Sequence, residues 1–294
     1  MCATLLNTKS FRVTGKNPIS LKEFNPASTG DYTTKDTAEY QLKRDTEMLS
    51  KLQYRLYAEN RRSLLIIFQA MDAAGKDGAI KHVFSGVNPQ GCEVTSFKKP
   101  SVDELDHDYF WRHYSHIPAR GNFGIFNRSH YENVLVTKVH PQFLMGEMLP
   151  GVFSVNDIDN EFWEMRYKQI RNFEKTTTEN GTTILKFFLH LSKDEQRRRF
   201  LSRIDDPEKN WKISSADIEE RKYWDDYQKA YEEAINKTAT EFAPWFIIPA
   251  DHKWFSRMLI GHIIVETLTA MDIKMPEISA KEREKLQEIK ESLV

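Results

Sequence analysis

Cysteine is nearly absent from this chain: Cys2 and Cys92 are the only two in 294 residues. Two widely separated thiols cannot build a disulfide framework and do not have zinc-site spacing. A long hydrophobic run is missing as well. No window approaches the roughly 18 uninterrupted apolar residues of a membrane helix, so no span and no membrane partner are expected. The start, Met-Cys-Ala-Thr-Leu-Leu-Asn, has no basic segment and too short an apolar stretch for a signal peptide, so a cytoplasmic protein is expected. Excess charge of one sign is also lacking: 42 Lys and Arg against 43 Asp and Glu leave a formal net charge of −1. A surface that grips nucleic acid as a whole is thereby excluded, and any anion site must be a local concentration of Lys and Arg. Internal repeats and low-complexity tracts are absent too.

What is present suits a large α/β domain. Hydrophobic residues make up 40% and charged residues 29%, enough for a core and typical of a globular chain. The central stretch is Leu64 to Lys81. Leu64 to Phe68 is an apolar run that predicts a buried strand. Ala73-Ala74-Gly75 is a small-residue turn, and Lys76 opens a segment with Ile80, Val83 and Phe84 at helical spacing. Strand, tight turn, lysine and helix is the arrangement in which backbone N–H groups and a helix N-terminus converge on phosphate. The match to G-x-x-x-x-G-K-[ST] is incomplete, because Ala70 replaces the first Gly and Asp77 the Ser or Thr. Asp72 adds a carboxylate within the loop. A plain strand-turn-helix with a surface lysine is the competing reading.

The flanking segments alternate strand and helix. Residues 1–35 read as an extended arm, and Thr37 to Asn60 as an amphipathic helix carrying Leu42, Leu49, Leu52 and Leu56. Glu93 to Phe97 predicts a second strand delivering Lys98-Lys99-Pro100, two lysines at a strand end where ligands of open α/β sheets gather. Asp103 to His116 has Leu105, Tyr109, Phe110 and Arg112 at helical spacing. Its histidines His107, His113 and His116 lack partners for a tetrahedral metal site and read as helix-surface residues. Gly121 to Phe126 predicts a third strand ending in Asn127-Arg128-Ser129. Asn127 stands where such strands commonly end in Asp, and it is neutral and cannot act as a base. Arg128 is placed for phosphate, and Glu132, one turn on, is the candidate for the missing acid.

Val134 to Met148 is apolar but interrupted at His140-Pro141. Asp157 to Thr178 predicts a helix and Thr182 to Leu189 a central parallel strand. The most charged segment follows, with six basic residues from Arg197 to Lys212 against Asp205, Asp206 and Glu208. Ser214 to Asp217 resembles a capping box, and the next helix aligns Trp224, Tyr227, Tyr231 and Ile235 on one packing face. Helix, basic break, helix describes a lid that brings Arg to a transferring phosphoryl group and excludes water; a solvated charge run is the competing reading. Trp245 to Pro249 predicts a last strand, His252 to Met271 a closing helix, and Lys281 to Val294 a charged tail. Strands alternating with helices imply a parallel sheet covered on both faces.

Four segments together resemble the polyphosphate kinase 2 family, P-loop kinases built like thymidylate kinase. They are Met71 to Gly78, Pro118 to Gly121, Ile125 to Glu132, and Lys193 to Phe200, in the family's order within roughly Asp36 to Ala270. The wording from Phe126 to Val139, with Asn210-Trp-Lys212, is most similar to the class III branch. The resemblance implies a three-layer α/β P-loop kinase fold: an arm over 1–35, one kinase domain over 36–275 with a lid at about 193–237, and a helical tail over 276–294. It implies reversible, magnesium-dependent phosphoryl transfer from inorganic polyphosphate to AMP and ADP, giving ATP, with guanine nucleotides as further acceptors. A homo-oligomer, dimer or tetramer, is also implied.

Carried onto this sequence, Lys76 with Ala73, Ala74, Gly75, Asp77, Gly78 and Lys81 would hold phosphate. Asp72 would orient the accepting phosphate and its magnesium ion, with Asn127 or Glu132 as a further ligand. Arg128, Arg199 and Arg203 would neutralise the phosphate chain, helped by Arg120, Lys209 and Lys212. Lys98, Lys99 and Arg112 are the candidates for the nucleotide. Asn127 departs from the Asp of many relatives, so either it belongs to a branch that uses Asn with Glu132, or it is a substitution that weakens the enzyme. Two other readings compete: an ATP-dependent kinase of a nucleotide or small metabolite, and a non-catalytic nucleotide-binding switch. The switch is disfavoured because Asn236-Lys-Thr-Ala239 lacks the Asp of a guanine motif.

Overall fold

The computed structural model describes residues 6–293; Cys2, the rest of the first five residues and Val294 lie outside them. Six strands form one sheet: β1 (Arg12–Val13), β2 (Ser63–Ala70), β3 (Cys92–Ser96), β4 (Phe123–Asn127), β5 (Thr182–His190) and β6 (Trp245–Pro249), in the order β1-β6-β5-β2-β4-β3. All pairings are parallel except β1 with β6. Strand β2 lies at the centre, buried along its whole length. Its side chains alternate between two cores: Leu64, Ile66 and Phe68 face one, Leu65 and Ile67 the other, as the two-residue period of a strand requires.

Helix α1 (Lys35–Glu59) forms because Thr34 caps its start, its side chain accepting from the Thr37 N–H, and because Asn60 closes it in the left-handed conformation at φ 51°. Its buried Leu49, Leu52 and Leu56 join the first core, together with α2 (Lys76–Val83) and α10 (Lys253–Ala270). The other face carries α5 (Glu132–Val139), α6 (Asn160–Glu179) and α9 (Trp224–Thr238). The expected stripe of Trp224, Tyr227, Tyr231 and Ile235 is buried there as packing. The sheet and its two helical layers make the α/β P-loop kinase architecture. No helix among the described residues is long and apolar enough to cross a membrane.

Several local expectations need correction. The arm is tied down: β1 pairs with β6 at a sheet edge, and Ile19 donates to and accepts from the Asn236 side chain. A two-residue strand has no period to read, so the sequence could not announce it. Asp103 to His116 is two short helices, α3 (Val102–Leu105) and α4 (Trp111–Tyr114). Between them the Asp108 carboxylate accepts from the Phe110 N–H, a local competitor of helix continuation. His113 is buried and packs on Phe97 at 4.3 Å, so it is a core residue and not a helix-surface one. Beyond α5, Pro141 begins a 3-10 segment to Glu147. The segment expected as a lid comprises α7 (Lys193–Ile204), a 3-10 turn at Asn210–Lys212, α8 (Ser215–Glu220), a second 3-10 turn at Arg221–Tyr223, and α9. The Ser214–Asp217 capping box is formed. Helix α11 (Ala280–Ser292) buries no residue.

Candidate active site

Parallel strands bring their carboxyl ends to one edge of the sheet, and the loops after β2 and β4 meet there. Phe68 and Asn127 are register partners. The cleft they open has a volume of about 880 Å³ and is lined by ten Lys and Arg side chains against three Asp. In a chain of net charge −1, that imbalance is a local anion site.

The β2–α2 loop turns through left-handed conformations at Ala73 (φ 63°) and Gly75 (φ 106°). Alanine at a positive φ costs about 1–2 kcal/mol and must be held by its surroundings. Arg199 does this. Its Nη1 donates to the carbonyls of Ala73 (2.9 Å) and Ala74 (2.8 Å), its Nη2 to those of Ala250 (2.6 Å) and Asp251 (3.0 Å), and its Nε to Glu195 (2.7 Å). All five N–H bonds of a guanidinium are thereby engaged. Arg199, expected on the phosphate chain, lines the cleft and braces the loop.

Lys76 Nζ donates to the Ala70 carbonyl at 2.8 Å. Burial pulls its ammonium below the ordinary lysine range, with Asp72 opposing. Arg128 also has a positive φ, 66°. Its N–H donates to the Phe68 carbonyl at 3.1 Å, and its Nη2 lies 3.2 Å from Asp72 Oδ1. Burial alone would lower the Arg128 guanidinium, but Glu132 and Asp72 hold it more firmly charged. Glu132 lies behind the cleft wall. Burial raises its carboxyl above the usual range, against the pull of Arg128 and Lys76.

The Asn127 amide donates to Asp77 Oδ1 at 2.8 Å, tying the two loops together across the cleft. Asp72, Asp77 and Asn127 offer oxygen donors of the kind a magnesium ion takes. Among the described residues no group of three His, Cys, Asp or Glu is assembled for a metal. Mg²⁺ needs none, because it is commonly held by one or two carboxylates with substrate phosphates and water. The donor set therefore fits that ion.

Of the expected phosphate and nucleotide residues, Ala73, Ala74, Gly75, Asp77, Gly78, Lys98, Arg203, Lys209 and Lys212 line the cleft. Four do not. Arg120 precedes β4, at the opposite end of the sheet from the loop that follows β2. Its Pro-Ala-Arg-Gly segment is a turn whose Gly121 N–H donates to the Arg62 carbonyl. Arg112 is spent on Glu104 (3.3 Å) and the Lys98 carbonyl (2.9 Å), where it supports the strand end from behind. Lys99 and Lys81 are exposed outside the cleft, Lys81 because it lies more than a turn along α2 from Lys76.

Sequence reading missed Arg198, Ser202, Asp217, Lys253 and Arg257 on the cleft wall. The signal was available for the last two. Lys253 and Arg257 are four apart at the start of the helix after β6, on one face. Burial lowers both groups, and Arg199 lowers them further; the two repel one another at Lys253 as well. That cationic cluster is in want of an anion.

Comparison with known proteins finds similar chains over nearly the whole length. A family model described as Polyphosphate kinase 2 matches residues 32–276. An ADP-polyphosphate phosphotransferase of Rhodopseudomonas palustris is 48% identical over 98% of this chain and 99% of its own. An AMP/ADP-polyphosphate phosphotransferase of Meiothermus ruber is 46% identical over 92% and 96%. The crystal structure of polyphosphate kinase 2 from Arthrobacter aurescens superposes with a TM-score of 0.85 at 39% identity, covering 95% of this chain and 96% of that one.

Proposed function

The chain belongs to the polyphosphate kinase 2 family, enzymes that transfer phosphate between polyphosphate and nucleotides, and from that premise we propose how its cleft does so and on which nucleotides. AMP and ADP are both acceptors, so two successive transfers end in ATP. The observation that carries this reading is the ten-to-three excess of basic side chains in a cleft floored by a phosphate loop. A polyanionic donor needs such a channel when the protein as a whole is neutral.

The loop N–H groups and the start of α2 receive the phosphate at the transfer point, and Lys76 spans the transferring group. Asp72, with Asp77 or Asn127, would hold a magnesium ion, which would supply charge neutralisation between the donor and acceptor phosphates. Arg128, anchored on Asp72, stabilises charge on the equatorial oxygens of the transferring phosphoryl. Arg203, Lys209 and Lys212 on the lid, with Lys253 and Arg257, carry the rest of the polyphosphate chain. Arg199 keeps the loop in shape, and Glu132 holds Arg128 and Lys76 in place. Asn127 needs no basicity for this chemistry: in-line transfer rests on positioning and charge, and Asn127 positions by tying to Asp77.

Residues 36–275 act as one kinase domain, with the lid at about 193–237, between an arm and a helical tail. Tyr40 and Tyr54 on α1, together with Leu286 and Ile289 on α11, are exposed apolar surface that fits a homo-oligomer, a dimer or a pair of dimers. A cytoplasmic location follows from the nucleotide acceptors.

The test is ADP with polyphosphate as the only donor, in the wild type and in Lys76→Ala. ATP forms in the first and not in the second. Transfer to AMP, giving ADP, only when ATP replaces polyphosphate as the donor would mean an ATP-dependent kinase instead.

A further inference from the structure

Helix α7 touches the phosphate loop at three consecutive carbonyls. Arg199 takes those of Ala73 and Ala74. One turn earlier Gln196, 1% exposed, donates from Nε2 to the Asp72 carbonyl at 3.0 Å. In a planar trans peptide the N–H points away from the carbonyl it is joined to. Holding the Asp72 and Ala74 carbonyls against α7 therefore turns the N–H groups of Ala73 and Gly75 away from it.

The other end of the Gln196 amide is used as well. Its Oε1 accepts from Arg221 Nη1 at 2.6 Å, and the same nitrogen donates to the Lys193 carbonyl at 3.0 Å. Arg221 starts the 3-10 turn that leads into α9, four residues after the stretch that lines the cleft with Trp211, Lys212 and Asp217. One buried amide thus joins the base of the lid to the backbone of Asp72, whose side chain anchors Arg128 at 3.2 Å. Neither half of the amide is replaceable. A carboxylate would set an acceptor against the Asp72 carbonyl, and a thioether would lose both bonds.

We propose that Gln196 is a positioning residue that couples the seating of the lid, through Arg221, to the alignment of the phosphate loop at Asp72. Gln196 touches no reacting atom, and its effect is on how well the loop is aimed when the lid is in place. The proposal rests on the loop being the transfer site.

The experiment compares Gln196→Met, Gln196→Glu, Arg221→Met and the double variant Gln196→Met/Arg221→Met. It uses the full chain with polyphosphate, ADP and magnesium ion, and scores kcat, both KM values and Tm. Misplacement by a fraction of an ångström to one ångström is expected to lower kcat up to about 100-fold in Gln196→Met and Gln196→Glu. Both KM values should stay within about threefold, since the basic side chains that bind are untouched. Arg221→Met should lower kcat less, and the double variant should be no slower than Gln196→Met, because the two residues act in series. A purely structural role would lower Tm and leave kcat per folded site and the additivity unchanged. Wild-type kcat in folded Gln196→Glu, or losses that multiply in the double variant, would overturn the proposal. If Gln196→Met does not fold, Gln196→Glu, which keeps its volume, and Arg221→Met decide by the same readings. A Lys76→Ala control separates the two ideas. Activity retained there removes the transfer site itself, whereas loss there with normal turnover in the Gln196 variants removes only the relay.

Discussion

Asp72 and Arg128 meet at 3.2 Å from two different loops, and the proposed transfer depends on keeping them so. Arg128 is held in a left-handed backbone whose strain, about 1–3 kcal/mol, is tolerated where function requires it. The buried charges beside it make opposite demands on stability and turnover. Burial raises the Glu132 carboxyl, so the folded protein favours its neutral form more than the unfolded chain does. A raised carboxyl opposes folding once pH exceeds its unfolded value. Glu132→Gln is therefore expected to keep or raise Tm at neutral pH while lowering kcat tenfold or more, read by thermal melting and steady-state assay. Lys76→Ala removes a partly desolvated ammonium and should leave Tm unchanged or higher, with turnover lost. That Lys76, Asp72 and Arg128 meet in one cleft could be expected from sequence, because residue type and spacing after strands β2 and β4 point to phosphate. The role of Arg199 could not, since nothing in Arg-Arg-Arg says which guanidinium turns inward to backbone carbonyls.

Strand β5 carries a fully buried Lys186 into the core beneath the β4–α5 turn. Its ammonium meets Glu174 of α6 at 2.7 Å, the Tyr131 hydroxyl at 3.0 Å and the Thr238 carbonyl of α9 at 2.9 Å. Burial would raise the Glu174 carboxyl, but Lys186 and His130 outweigh it and hold the group below its usual range. Removing one partner leaves an uncompensated buried charge, so Glu174→Gln or Lys186→Met should cost about 3–5 kcal/mol in denaturant unfolding. The double variant Glu174→Gln/Lys186→Met should recover much of that loss. A single lysine within Thr-Thr-Ile-Leu-Lys-Phe-Phe-Leu gave no warning of this, because a partner on another helix leaves no local pattern. The strands themselves were legible: four of the five longer ones are apolar-rich runs, and the edge strand β3, Cys-Glu-Val-Thr-Ser, is marked only by its β-branched Val94 and Thr95. The split between α3 and α4 was not, because an Asp that stops a helix looks like any helix-surface Asp.

At the scale of the molecule, α1 and α10 pack together over one face of the sheet, with His262 3.3 Å from Asp45. That hydrogen bond raises the His262 pKa above its ordinary value, with burial opposing. A raised histidine contributes stability that is complete below the unfolded pKa, near 6.5, and is lost as pH rises through the folded value. His262→Gln should therefore lose more Tm at pH 6 than at alkaline pH, above the folded value, where the two proteins converge. The near-neutral charge of the whole chain also made its cleft hard to see from sequence. Arg128, Arg203, Lys253 and Arg257 come from distant segments, and only the parallel sheet gathers them at one edge. A channel of exposed cations should weaken in salt, so KM for polyphosphate is expected to climb steeply between low and physiological ionic strength while that for ADP changes less. The most direct measurement is product analysis over time after mixing the protein with AMP, polyphosphate and magnesium ion, with no other donor. ADP should appear first and ATP after it, both dependent on Lys76; an unchanged AMP pool, or equal product from Lys76→Ala, would contradict the account.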